Sequence, residues 1–195
     1  MKIEIKNQKD LDIFYRRLWL YKSLFYKKVT FETNNKSIKP IVEALNIKRR
    51  KQRITYIYDK LCKQIDDFYK GKNICGFKNG KCYVQQKLKN NYINGCCRFC
   101  LNQSSKGCTT SNLTCKLFTC SEVEKRCKII KLEELKLLKL LNKRQNIIAK
   151  TNYFTKRETF INDLYISSFV IWEMRQLFRI IKIYIKIRLL KVSFK

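Results

Sequence analysis

Ten cysteines and no histidine set the chemistry open to this 195-residue sequence. Six of the cysteines lie in one stretch of 27 residues, NGCCRFCLNQSSKGCTTSNLTCKLFTC, at positions 94–120. Crowded thiols form disulfides, hold a metal or react as nucleophiles. The start of the sequence lacks the apolar segment of an export signal, so we expect a cytoplasmic protein with reduced thiols. Reduced thiols at close spacing favour a metal site over disulfides.

The spacing of the cysteines is typical of zinc ligands. Two residues separate Cys97 from Cys100, four separate Cys115 from Cys120, and fourteen separate the two pairs. This pattern is close to a four-cysteine zinc motif. The remaining thiols of the region supply a second set of ligands, so we predict one or two zinc ions. The predicted ligands are Cys75, Cys82, Cys96, Cys97, Cys100, Cys108, Cys115 and Cys120.

The composition around these cysteines restricts the metal. All five glycines lie between residues 71 and 107, and no carboxylate occurs between Phe68 and Ser121. Thiolates are therefore the only strong ligands in this module, and an all-sulfur site suits zinc or an iron–sulfur cluster. The iron–sulfur spacing CxxxCxxC begins at Cys96 but has Gln103 in place of its third cysteine. We predict zinc, with an iron–sulfur protein of redox or transferase function as the alternative.

One dipeptide predicts how the first two cysteines are brought together. In CGFKNGKC, Asn79 and Gly80 stand between Cys75 and Cys82. Asn-Gly is a strong indication of a tight hairpin turn. We therefore expect these two thiols on neighbouring arms of a hairpin.

The sequence on either side of the module predicts helices. Apolar residues at spacings of three and four predict helices over residues 8–27, 37–45 and 48–70. Capping boxes predict two more, beginning at Ser121 and Thr155. The expected fold is mostly α, a helical body with a cysteine-rich, loop and hairpin metal-binding insert. The expected regions of this single compact unit are 1–71 (helical), 72–128 (cysteine-rich) and 129–195 (helical).

The last stretch, RIIKIYIKIRLLKVSFK, fits two structures. Its aliphatic residues alternate with polar ones, which is typical of a strand: Ile183, Ile185, Ile187 and Leu189 alternate with Lys182, Tyr184, Lys186 and Arg188. As a helix it forms a basic stripe, Arg175, Arg179, Lys182 and Lys186, beside a wide apolar face. Such a helix suits either a core position with a solvated edge or an anionic membrane surface.

A formal charge of +29 indicates an acidic partner: nucleic acid, an anionic membrane surface or an acidic protein. An AT-rich genome, which favours lysine codons, is the competing explanation. The densest cationic run comprises Lys48, Arg49, Arg50, Lys51 and Arg53. It follows a predicted helix break near Asn46, in the outline of a helix-turn-helix, and five cations in six residues would bind phosphates.

Enzyme mechanisms that need histidine are excluded, and no glycine-rich nucleotide motif is present, so the sequence favours a protein that is not an enzyme. We expect a zinc-binding, strongly basic protein that binds nucleic acid in a regulatory or mobile-element context. The further alternative is a basic adaptor or inhibitor that docks on an acidic protein or an anionic membrane surface.

Overall fold

The structure, a computed structural model, is mostly helical, as the sequence predicts. It describes residues 2–20, 30–79, 81–87, 103–104, 107–108, 112–153, 155–166 and 169–192. Buried side chains from helices and strands along the described ranges form one hydrophobic core.

The regular elements differ widely in length. The α-helices are α1 (Gln8–Leu20), α2 (Lys39–Asn46), α3 (Arg50–Phe68), α4 (Tyr83–Lys87), α5 (Leu113–Leu117), α6 (Ser121–Arg126), α7 (Lys143–Thr151), α8 (Arg157–Tyr165) and α9 (Phe169–Val192). Two 3-10 helices, Leu132–Glu134 and Lys136–Leu140, lie between α6 and α7. The strands are β1 (Lys2–Ile5), β2 (Thr30–Thr33), β3 (Gln103–Ser104) and β4 (Gly107–Cys108).

The N-terminal part contains a short parallel sheet that the sequence did not predict. β1 pairs with β2 in parallel register, with Ile5 opposite Thr33, and α1 lies between them in the chain. Phe14 of α1 contacts Phe31 of β2 edge-on, with ring centroids 5.7 Å apart. The predicted extension of the first helix over residues 21–27 lies outside the described residues.

α3 is the central helix of the core. Its buried residues Ile54, Ile57, Leu61 and Ile65 repeat at spacings of three and four, so one side of the helix is apolar throughout. This side packs against α2, α5, α8 and the second 3-10 helix. Gly71, with a φ of 73°, follows the end of the helix, as the predicted helix stop requires.

The predicted helix that begins at Ser121 is much shorter than the sequence indicated. α6 ends at Arg126, and the leucine-rich run that follows forms the two 3-10 helices instead. Leu135, Leu138 and Leu141 are buried at intervals of three residues, which is the period of a 3-10 helix.

Both predicted capping boxes are wrong in detail. Cys120, and not Ser121, is the N-cap of α6, and Glu124 accepts a hydrogen bond from Thr119 Oγ1 at 2.8 Å. Lys156 is the N-cap of α8, because Thr155 is buried and bonded elsewhere.

A buried polar network joins α5, α7 and α8. Asn112 caps α5 by accepting from Cys115 N at 2.9 Å. Its Nδ2 donates to Asn152 O at 3.1 Å and to Thr155 O at 2.9 Å. Thr114 Oγ1 donates to Ala149 O at 2.8 Å. These bonds satisfy polar groups where the chain leaves α7, so α5 is fixed to the main core.

The C-terminal stretch is a helix, α9, and not the strand that alternation allowed. Over the residues that the structure describes, no helix is both long and apolar enough to cross a membrane.

Candidate functional site

The basic run lies where α2 meets α3. Only Ile47, Lys48 and Arg49 connect the two helices, so the predicted break near Asn46 is confirmed. The Asn46 side chain accepts from Phe31 N at 3.0 Å and donates to Phe31 O at 2.8 Å. These two bonds fix the end of α2 against β2 and direct the chain into α3. The short turn agrees with the expected helix-turn-helix, which stays a prediction.

The predicted phosphate-binding cations surround the first turn of α3. Four are exposed and one is half-buried: Lys48, Arg49, Arg50 and Lys51 are exposed, and Arg53 is half-buried. The first turn contains no acidic residue, and the N-cap, Arg49, offers the helix no side-chain hydrogen bond. A helix N-terminus carries partial positive charge and unpaired N–H groups, so cations there are unfavourable. A bound anion would stabilise this arrangement.

A cavity of roughly 250 Å³ opens between the first turns of α3 and α7. Arg50 and Arg53 line it from α3, while Asn142 and Gln145 line it from the start of α7. Buried leucine and isoleucine side chains complete the lining. Two arginines and two helix N-termini therefore converge at one opening, and each of them favours a negative charge.

The contribution of α7 to this surface was missed in the sequence. Asn142 Oδ1 accepts from Gln145 N at 2.8 Å, and Gln145 Oε1 accepts from Asn142 N at 3.0 Å. This reciprocal capping starts α7 beside the cavity and places two more exposed cations, Lys143 and Arg144, in its first turn. The spacing Asn-x-x-Gln was the available sign of a helix start, since both residue types suit these positions.

An aromatic ring adjoins the same cations. Tyr165, the last residue of α8, is 43% exposed. The guanidinium carbon of Arg50 lies 5.3 Å from the centroid of its ring. Rings beside cations are typical of surfaces that stack nucleic-acid bases.

The rest of α3 is not part of the basic surface. The Asp59 carboxylate accepts hydrogen bonds from Arg157 Nε at 2.8 Å and from Arg157 Nη2 at 2.6 Å. This ion pair joins α3 to α8. The pKa of Arg157 is raised, chiefly by this hydrogen bonding. Asp66 pairs with Lys116, which joins α3 to α5. The candidate surface therefore consists of the first turns of α3 and α7, where exposed cations lie beside the cavity.

The hairpin predicted between the first two cysteines is confirmed. Lys78 N donates to Lys81 O at 3.0 Å, and Lys81 N donates to Lys78 O at 3.1 Å, with Asn79 at a positive φ of 50°. Tyr83, the residue after Cys82, donates its N–H to Cys75 O at 2.9 Å. This bond holds the second arm of the hairpin, with Cys82, beside Cys75. Both of these cysteines are half-buried.

The hairpin segment lies against α6. The Arg126 guanidinium lies 4.0 Å from the centroid of the Tyr83 ring and donates to Ile74 O at 3.3 Å. The two ends of α6 carry cysteines, Cys120 as its N-cap and Cys127 as its C-cap. The hairpin that contains Cys75 and Cys82 thus packs against α6, which begins directly after Cys120, the last of the predicted ligands.

The complete set of predicted metal ligands is not described. Cys96, Cys97 and Cys100 lie outside the described residues, and Cys108 ends the short strand β4. Among the residues that are described, no group of three or more potential ligands is close enough to hold a metal ion. The predicted metal-binding insert is therefore not shown. The described part of this region is also more helical than the predicted loop and hairpin, because α4, α5 and α6 belong to it.

Cys62 is a packing residue on α3. It is half-buried and lies against the hydrophobic core. Burial is the largest effect that raises the pKa of its thiol, to about 11 from an ordinary value of 9.0. A thiol with so high a pKa is protonated, and hence a poor nucleophile, at neutral pH.

No family model matches the sequence, and no curated protein or solved structure is significantly similar to it. The function is therefore inferred from the residues and geometry of this chain alone.

Proposed function

We propose that this basic protein binds nucleic acid through the first turns of α3 and α7. The observation that carries the proposal is the convergence of two helix N-termini with Arg50 and Arg53 at one cavity. The neighbouring exposed cations extend the charge along the surface: Lys48, Arg49, Lys51, Lys143 and Arg144. A phosphate at this place would meet cationic side chains and the positive ends of both helices.

The expected binding is directed at the phosphate backbone and not at base sequence. Lysine and arginine contacts to phosphates release counterions and carry no sequence information. Tyr165, exposed beside Arg50, offers a ring for a base that is unpaired. The exposed side of α3 carries Asp59, Asp66 and Asp67 beyond the first turn, so the positive charge of this helix is concentrated at its start.

Salt dependence of binding tests this function. A fluorescein-labelled duplex DNA is titrated with the full chain over a range of salt concentrations, and its anisotropy gives the affinity. Changing Arg49, Arg50 and Lys51 to alanine should lower the affinity and reduce the slope of log K against log salt by about 2.7, since each phosphate contact contributes about 0.9.

The matched control removes the same charge elsewhere. Lys63, Lys70 and Lys128 are exposed and lie away from the start of α3. Changing these three to alanine should leave the slope nearly unchanged. Equal losses in both variants would mean that net charge alone attracts DNA, and no binding by the parent chain at moderate salt would refute the function.

We also propose that zinc is bound by the eight cysteines between Cys75 and Cys120, with an iron–sulfur cluster as the alternative. The spacing of the thiols, the lack of other ligand types in that segment and the hairpin that joins Cys75 to Cys82 support this proposal. Zinc bound by thiolates would contribute to folding directly, because the unfolded chain has no preformed site.

Elemental analysis of anaerobically purified protein tests the metal. We expect one or two zinc ions per chain, and a lower unfolding temperature when Cys97 or Cys115 is changed to serine. A brown protein that contains iron and sulfide would establish the alternative. A metal content well below one ion per chain would refute both.

A further inference from the structure

α9 packs on the body with its polar side. Trp172 is buried, and Arg175 and Arg179 reach the carboxylate of Asp163 at 3.3 and 2.9 Å. Asp163 is 0% exposed, and Asn152 Nδ2 also donates to it at 2.9 Å. The helix is therefore held by a buried carboxylate and its cationic partners. The first half of the basic stripe identified in the sequence faces this network.

The opposite side of α9 is exposed and, apart from Glu173 near one edge, apolar. Its large side chains repeat at helical spacing and are between 44% and 67% exposed: Val170, Met174, Leu177, Phe178, Ile181, Tyr184 and Ile185. Ile171 and Ile180, also exposed, widen this surface to about half of the helix circumference. The residues from 170 to 185 extend over about 22 Å. We call this surface the outer face of α9.

The width of the outer face favours a flat partner. A two-stranded coiled coil needs only a narrow apolar seam, whereas a helix that lies in a membrane interface exposes a broad apolar side. Large continuous apolar surfaces are uncommon on isolated monomers and mark sites of interaction.

Charge selects among the partners. The sequence of α9 contains six lysines and arginines and a single acidic residue, Glu173, in a chain with a net charge of +29. A second copy of the chain would bring an equal positive charge to the contact, which repels. An anionic lipid surface attracts the cations while it accepts the apolar side chains.

We propose that the outer face of α9 lies on an anionic membrane surface. The helix would lie parallel to the surface, with Leu177, Phe178 and Ile181 among the headgroups and the start of the acyl chains. Lys182, which is exposed, would remain at the level of the lipid phosphates. This proposal does not depend on nucleic-acid binding, which uses other helices.

Vesicle binding by the full chain tests the proposal. Sedimentation with vesicles of phosphatidylcholine and phosphatidylglycerol gives the partition coefficients of the parent and of one triple variant. This outer-face variant combines Leu177→Ser, Phe178→Ser and Ile181→Ser. Transfer of each of these three side chains from water contributes about tenfold or more, so the triple variant should bind about a thousandfold more weakly. Vesicles of phosphatidylcholine alone should bind the parent more weakly, and Lys182→Gln should cost on the order of fivefold.

A control variant tests whether any exposed apolar residue would have the same effect. Ile13, Leu132 and Ile147 are exposed on other elements, and changing all three to serine should leave vesicle binding unchanged. Circular dichroism checks that both triple variants are folded, and duplex DNA binding should be equal in the parent and the outer-face variant.

Three results would overturn the proposal. The first is that the parent does not bind vesicles, and the second is that it binds neutral vesicles as tightly as anionic ones. The third is that the control variant loses as much vesicle binding as the outer-face variant. If the parent sediments as a dimer that the outer-face variant dissociates, and vesicles do not bind, a second copy covers this face. Capture of an acidic protein without vesicle binding would equally replace the membrane as the partner.

Discussion

Removal of positive charge from the start of α3 should make the protein more stable. Arg49 is the N-cap and Lys51 lies in the first turn, where cations face the partial positive charge of the helix end. Each such contact is unfavourable by about 0.3–1 kcal/mol at low salt. The double change Arg49→Gln, Lys51→Gln should therefore raise the free energy of unfolding by about 1 kcal/mol. Glutamine has nearly the same helix propensity as arginine and lysine, so the effect is electrostatic.

Urea unfolding, followed by circular dichroism at low and at high salt, measures this gain. For a domain of this length, about 1 kcal/mol also raises the Tm by about 2–4 °C. The gain should shrink at high salt, because both residues are exposed and their charges are screened.

The control is Lys63→Gln, Lys70→Gln, which removes the same net charge. Lys63 is four residues from both Asp59 and Asp67 on α3, and Lys70 follows the C-terminal end, where a cation is favourable. This variant should lose a few tenths of a kcal/mol to about 1 kcal/mol. The two variants should thus change stability in opposite directions.

A loss of stability in the Arg49 and Lys51 variant would refute the reasoning. It would mean that contacts within the folded chain hold these cations in place. A gain that accompanies weaker binding to DNA would instead show that the charge at this helix end opposes stability and serves a ligand.

Three further predictions follow from the buried groups. Arg179→Ala should lower the free energy of unfolding by about 2 kcal/mol in urea unfolding, because it leaves the buried carboxylate of Asp163 with fewer partners, and Asp163→Asn should partly restore it. Asn112→Ala should cost about 2 kcal/mol or more by the same assay, since buried backbone carbonyls lose their donor. The protonated thiol of Cys62 stabilises the fold fully below pH 9.0, and this contribution is lost as the pH rises towards about 11. The free energy of unfolding should therefore fall more steeply with pH across this range in the parent than in Cys62→Ala. Equal slopes in the two proteins would contradict the raised pKa.

Local patterns in the sequence predicted the elements that local chemistry determines. The apolar spacing of Ile54, Ile57, Leu61 and Ile65 predicted α3, because one buried helical side is visible without knowing what covers it. Asn79 and its neighbouring glycine predicted the hairpin, since the turn type requires a positive φ.

The elements that depend on distant contacts were missed or misassigned. The parallel pairing of β1 with β2 involves strands of four residues separated by a helix, and no local pattern specifies such pairing. The leucines before α7 suggested a continuous helix, but the core accepts them at 3-10 spacing, and α7 begins only at Lys143, after its N-cap Asn142.

The candidate site was only half visible in the sequence for the same reason. The five cations before Ile54 fall within six consecutive residues, so their density identified the run. Lys143 and Arg144 join them only because α7 packs with its first turn at the same cavity as α3. The orientation of α9 was likewise hidden, since Arg175 and Arg179 pair with Asp163, which lies on α8 and outside the pattern of α9 itself.

Photo-crosslinking tests the proposed nucleic-acid interface most directly. The full chain is irradiated with a DNA that contains both duplex and single-stranded segments, and mass spectrometry identifies the crosslinked peptides. Crosslinks should map to the first turns of α3 and α7 and to Tyr165, and high salt should abolish them. Crosslinks that map only to α9 or to the cysteine-rich segment, with none at these three places, would contradict the proposed interface.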